Sequence, residues 1–210
     1  SLYARRLDQS EGVDMITASA NNYYDGVTQK EVEKFYADMI DPTDPQPISY
    51  GLNSQLTKDE NGKVVERVWK LGGMYGEAIE KIVYWLDKAA EVANPTQKEI
   101  IVALRDYYCS GNLRDFDKYN VLWVKDVESN IDFVNGFIED YGDPMGRKAS
   151  WESNVSLRSD EATKRTELIS ANAQWFEDNS PVNPAFRKPE VKGVSAKVIN
   201  VAMLGGDCYP

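Results

Sequence analysis

Between Ile131 and Gly146 the chain places four carboxylates, Asp132, Glu139, Asp140 and Asp143, with Glu152 following shortly after. Two carboxylates held a fixed distance apart can serve as acid and base, or acid and nucleophile, on a glycosidic bond. Closeness in sequence does not set that distance, and with 34 acids against 24 bases such clusters arise without function. Most of these acids are expected to be solvated or to cap turns. The count of histidine is zero. That removes Ser-His and Cys-His pairs, His-Glu-x-x-His zinc sites and imidazole acid/base chemistry together, and leaves carboxylates, Lys, Tyr and Cys.

Other chemistries are no better supplied. Gly72-Gly73-Met74-Tyr75-Gly76 precedes a helix-like run, but it lacks the Lys-Ser/Thr of a phosphate loop and the Gly-x-Gly-x-x-Gly order, so a tight strand-to-helix turn is expected. Gly205-Gly206 fits either a close backbone approach or a bulge. Cys109 and Cys208 lie far apart without Cys-x-x-Cys spacing, which predicts two free, mostly buried thiols rather than a zinc ribbon or disulfide framework. Tyr23, Tyr24, Tyr75, Tyr84, Trp85, Tyr107 and Tyr108 could line a sugar or peptide groove; their places on or beside apolar helical faces favour core packing. A formal charge of −10 disfavours nucleic acid as a partner, because binding a polyanion draws on clustered bases. No apolar run is long enough to span a bilayer, and the first residues carry no secretory signal.

The stretch 131–146 alternates in a way that suits a strand, with Ile131, Phe133, Asn135 and Phe137 on one side and Asp132, Val134, Gly136 and Ile138 on the other. A short helix is the rival reading. Gly142-Asp143-Pro144 ends it, and Trp151 to Leu157 alternates again, so the two runs can pair through residues 145–150. Upstream, a helix is expected within Leu2 to Tyr24. Thr28-Gln29-Lys30-Glu31 forms a capping box opening a helix that buries Val32, Phe35, Tyr36, Met39 and Ile40. Prolines 42, 45 and 47 end it, and a hairpin turning at Asn61-Gly62 follows, its first run alternating through Ile48, Tyr50, Leu52 and Leu56. Ile79, Ile82, Val83, Leu86 and Ala90 mark the best helix. Asn94-Pro95 starts the next, through Ile100, Ile101, Leu104 and Tyr108, and a third runs through Phe116, Tyr119, Leu122 and Trp123. A long helix capped by Ser159 is predicted over Asp160 to Asp178, burying Ala162, Leu168, Ile169, Ala173 and Phe176, and a strand over Val191 to Leu204. Helices interspersed with hairpins in no βαβ order give an α+β fold, mostly helical.

Several of these segments resemble the dipeptidyl peptidase III family of zinc exopeptidases. The resemblance rests on Gly136-Phe137-Ile138-Glu139, Tyr141, Asp143-Pro144-x-Gly146 and Trp151-Glu152, together with Gly51-Leu52-Asn53-Ser54, Gly72-Gly73-Met74-Tyr75-Gly76 and the tail Val198 to Pro210, which look like a bacterial, Bacteroides-type branch. The family is two-lobed and removes dipeptides from the N-termini of short peptides. One helical lobe holds zinc through His-Glu-x-x-Gly-His and a later Glu; the other is built around a small β-barrel with helices.

The resemblance implies that residues 1–210 are a fragment, mainly the non-zinc, substrate-binding lobe, whose hairpins form part of that barrel or sheet. Zinc belongs to the parent enzyme and to a lobe downstream, so this chain would hold no metal and no catalytic residue and would be inactive alone. It implies a monomer, with the missing lobe and short peptides as partners, and a cytoplasmic location, with export open for a bacterial parent. In the family the peptide lies as an added strand with its ammonium end held by an acid and by Asn side chains. Aligned through Gly136-Phe137-Ile138-Glu139, that acid falls on Asp132, an Asp where relatives have Glu, while Val134 stands where they have Tyr. The other reading is a self-contained, non-catalytic α+β binding module.

Overall fold

The structure, a computed structural model, describes residues 5–193 and 197–207. It is α+β: helices alternate with two separate antiparallel sheets, one of two strands and one of three in the order β3-β4-β5. Among the described residues neither sheet closes on itself.

The N-terminal segment departs from the helix expected there. Only α1 (Met15–Ala18) forms, one turn capped by the Asp14 carboxylate, which also accepts from the Gln29 amide. Thr17 to Asn22 offers no apolar face to bury, so the chain instead runs beside a strand, with Leu56 donating to the Tyr23 carbonyl and Asp25 to that of Leu56. Tyr23, Tyr24 and Val27 are buried by this arrangement.

Helix α2 (Gln29–Ala37) opens on the Thr28-Glu31 capping box with both reciprocal bonds formed. Val32 and Tyr36 are buried, whereas Met39 and Ile40 lie beyond the helix end and are exposed. The hairpin pairs β1 (Ser54–Lys58) with β2 (Val64–Val68) across the Asn61-Gly62 turn. Its first strand starts later than the apolar alternation from Ile48 suggests, and it buries the polar Ser54, Gln55 and Thr57 along with Leu56.

Three consecutive helices then pack side by side: α3 (Gly76–Val92), α4 (Pro95–Ser110) and α5 (Leu113–Lys125). Asn94 caps α4 with Pro95 at its first turn, and Gly111 ends it in the left-handed region. Gly73 sits in the tight turn before α3, and Gly76, the first residue of the helix, donates to its carbonyl. The core is unusually phenolic. Tyr36, Tyr107, Tyr108 and Tyr119 are fully buried around Leu56, Ile79, Ile100 and Leu104. Tyr75, Tyr84 and Trp85 are instead exposed, so core packing holds for only part of the aromatic set. Cys109 is a free thiol, as expected, but exposed rather than buried, on the last turn of α4; Cys208 lies outside the described residues.

The single long helix expected near the C-terminus is two, α6 (Asp160–Ala171) and α7 (Ala173–Asp178), broken at Asn172. Ser159 caps the first, as expected, but only Thr163 is buried on it. Leu168, Ile169 and Phe176, predicted core, are exposed, since no described element packs over them.

Candidate functional site

The three-stranded sheet carries the chemistry singled out in the sequence. Strand β3 (Ile131–Glu139) pairs with β4 (Ser150–Arg158), and β4 with the edge strand β5 (Ile199–Gly206), so the strand reading of 131–139 holds and the helix rival does not. β5 begins well after Val191, and its outward side chains Val201 and Met203 are exposed. The residue alternation holds until a bulge between Phe137 and Glu139. At Gly136 the strand packs tightly on α5: a Cβ there would stand 2.9 Å from the Phe116 ring, a clash that glycine avoids.

The sheet's two faces differ in chemistry. On one, Phe133, Asn135, Ser153 and Val155 meet Leu86, Ala89 and Ile101 of α3 and α4 around a mostly apolar cavity of about 300 Å³. Asn135 anchors a polar chain through this packing: it accepts from the Tyr108 hydroxyl, which in turn accepts from the Trp151 indole at 2.9 Å, and its amide donates to Ser153 Oγ. A second cavity, about 480 Å³, lies between the start of α3 and the bulged end of the sheet, lined by Tyr23, Trp69, Tyr75, Phe137 and Trp151.

Asp132 points to the opposite side from Phe133 and is only 5% exposed. Its Oδ2 lies 2.7 Å from Lys197 Nζ, just before β5, and its Oδ1 accepts a long bond, 3.4 Å, from the Trp123 indole of α5. Directly across the ladder stands Ser156, whose hydroxyl is buried and has no partner among the described residues. The carboxylate therefore lies in a dry niche made by α5, β4 and the approach to β5, and it already holds a primary ammonium. Sequence pattern placed Asp132 on a strand. It gave no sign of Lys197, which is 65 positions away and meets Asp132 only because β5 folds back along β4.

The other acids of the stretch go elsewhere. Asp143, also buried, organises the turn after β3 by accepting from the Tyr24 hydroxyl at 2.8 Å and from the amides of Met145, Arg147 and Lys148. Glu139 sits with Glu152, Asp207 and Asp140; desolvation first, then these neighbours, holds its carboxyl above the ordinary value. Asp207 accepts from Tyr141 and Ser150. Each acid thus has its own structural surroundings, and Asp132 is the one held in a dry niche by a cation.

One buried centre escaped the sequence reading. Lys148, in what reads as a simple connection, is fully buried, and its ammonium donates to the Tyr36 hydroxyl, the Gly51 carbonyl at 3.1 Å and Ser54 Oγ at 2.9 Å. Glu66 lies 3.8 Å away and accepts from Tyr36 and Ser54. Burial pushes the Lys148 amine down to about 7, against the pull of Glu66 and Asp143. This centre ties the Asp143 turn to α2 and the hairpin.

The chain has no histidine, and among the described residues no three of Asp, Glu and Cys gather as a metal would require.

Comparison with known proteins agrees with the motifs. The chain is 25% identical over 139 residues to dipeptidyl peptidase 3 of Rattus norvegicus, and 27% identical over 136 residues to a protein of Arabidopsis thaliana named Nudix hydrolase 3. These alignments cover 66% and 64% of the chain but only 19% and 17% of the relatives, so the chain spans about a fifth of their length. The solved structure of DPP III from Caldithrix abyssi superposes with a TM-score of 0.71 over 96% of the chain and 38% of that structure, at 19% identity, which shows a shared fold. The sequence model of peptidase family M49 matches residues 16–206, nearly the whole of the sheet and helices described above, and the chain belongs to that family.

Proposed function

We propose that this chain is the peptide-holding part of a zinc-dependent dipeptidyl peptidase, and that Asp132 receives the substrate's N-terminal ammonium. The observation that carries the reading is the niche itself: a carboxylate 5% exposed, holding a primary ammonium at 2.7 Å, beside an unpartnered Ser156 hydroxyl. A peptide's α-ammonium is the same chemical group as the one held there. Fixing that ammonium fixes how far the chain reaches before the scissile bond, which is how an exopeptidase measures two residues. On this reading the hydrolytic metal and base belong to the zinc-binding lobe of the parent enzyme. The aromatic and acidic groups of the sheet then serve binding and register, with short peptides as substrates and no step of bond cleavage assigned to this chain.

The test is Asp132→Asn in the full-length enzyme. A neutral amide keeps the shape and loses the charge, so kcat/KM for a peptide with a free N-terminus is expected to fall by about 1.5–3 kcal/mol, the range for a hydrogen bond to a charged group. The same peptide acetylated at its N-terminus serves as the control. Unchanged kinetics would return Asp132 to a purely structural role.

A further inference from the structure

We infer that Lys197 is an internal occupant of the substrate-ammonium site, so that a peptide must displace its side chain before binding. The inference rests on the assignment of Asp132 just made and adds the element that sets affinity there. Both carboxylate oxygens are engaged, one by Lys197 Nζ at 2.7 Å and the other by the Trp123 indole at 3.4 Å. With Asp132 at 5% exposed and the Lys197 side chain at 9%, the described residues leave a second ammonium little access to the carboxylate while the lysine is in place. Addition without displacement would also place two like charges at one buried carboxylate, which the dry surroundings make costly.

Lys197 can leave more readily than Trp123. The indole is fixed within α5, whereas the lysine stands one residue before the Ser159–Val198 backbone bond that leads into β5, on a flexible four-carbon stem. Its charge is felt at a second carboxylate: against the desolvation that raises it, the Asp126 carboxyl is held below the ordinary value by hydrogen bonds from Ser129 and Glu128 and, least of these, by Lys197. The swing exchanges one ammonium for another at Asp132. The niche is therefore never an unpaired buried charge, with or without peptide, which removes the large penalty a vacant site would carry. Apparent affinity is reduced by the fraction of molecules in which Lys197 holds the carboxylate.

Steady-state kinetics of the full-length protein, with one tetrapeptide in free and N-acetylated forms, test this. Lys197→Met is expected to lower KM for the free peptide at least about fivefold with kcat unchanged, as removal of a competitor requires, and to leave the acetylated peptide unaffected. Lys197→Gln, which still donates to Asp132 without a charge, covers the case in which the Met variant melts early, and is expected to lower KM in the same direction. Lys197→Arg keeps the wild-type KM. In an Asp132→Asn background the gain from Lys197→Met disappears. If Asp132→Asn weakens the free peptide but both neutral Lys197 variants leave KM unchanged or raise it, Lys197 positions the carboxylate rather than competing for it, and the inference fails while the Asp132 assignment stands. If Asp132→Asn changes nothing, both fail.

Discussion

Lys148 offers the sharpest physical test of the fold, because its charge is buried where the sequence showed only a connecting loop. In the unfolded chain a lysine titrates near 10.4, and in the fold burial pushes it down to about 7. Between those values the unfolded chain binds one more proton than the native one, so native stability rises with pH across the window and is constant on either side of it. The cost of burying the ammonium is felt in full below pH 7. From pH 6.5 to 9.5 the gain is about 3 kcal/mol, at roughly 1.4 kcal/mol per unit within the window. Lys148→Met removes the titrating group. Tyr36 and Ser54 keep their bonds to Glu66 in that variant, while the Gly51 carbonyl and Glu66 lose the lysine at every pH alike, which shifts the variant's curve as a whole without changing its slope. Urea unfolding of both proteins at half-unit steps from pH 6.5 to 9.5 should therefore give a wild-type curve that climbs relative to the variant by about 3 kcal/mol, equivalent to roughly 6–12 °C in Tm for a chain of this size. All other titrating groups are common to the two proteins and cancel in the difference. Parallel curves, within about 1 kcal/mol over the whole range, would refute the reasoning and mean that Lys148 keeps its charge in the fold.

The same logic gives further expectations. Thr28→Ala removes one half of the α2 capping box and should cost about 1 kcal/mol in urea unfolding, with no change in peptide kinetics. Gly51 has φ of 96° and its Cβ would stand 2.7 Å from the Tyr36 ring, so Gly51→Ala should lose at least about 2 kcal/mol and displace Tyr36 from Lys148; a stable variant would contradict the packing described. Leu168→Gln on the exposed face of α6 should change the stability of this chain by no more than about 0.5 kcal/mol, and a larger loss would show that something covers that face. The fall in kcat/KM on Asp132→Asn, with its acetylated-peptide control, completes the set.

Local signals were readable wherever a residue acts on its immediate neighbours. Thr28 with Glu31, Asn94 with Pro95, Ser159, the Asn61-Gly62 turn and the alternation from Ile131 each state a cap, a turn or a strand within a few positions, and each is where the sequence put it. Reading failed where burial depends on what lies opposite. Leu168, Ile169 and Phe176 have the spacing of a buried stripe, yet no described element covers them. Ser54, Gln55 and Thr57 look like surface residues and are buried, because the hairpin is enclosed between the N-terminal segment and the helices. The helix expected before Tyr24 gave way to an extended run because pairing with β1 satisfied its backbone better than a helix without an apolar face.

The sequence by itself therefore determined the α+β class, most element starts, the absence of imidazole chemistry and, through its motifs, the peptidase family. It also marked Asp132 as the acid worth following. Only the tertiary structure decided what Asp132 meets: a lysine 65 positions away, an indole from α5 and a hydroxyl from β4. The reason is physical. A cap or a turn is a bond between neighbours along the chain, but a desolvated charge is defined by every group that excludes water from it, and those groups come from elements joined only by folding. The same holds for Lys148, an ordinary loop lysine in the sequence and the most deeply buried cation in the fold.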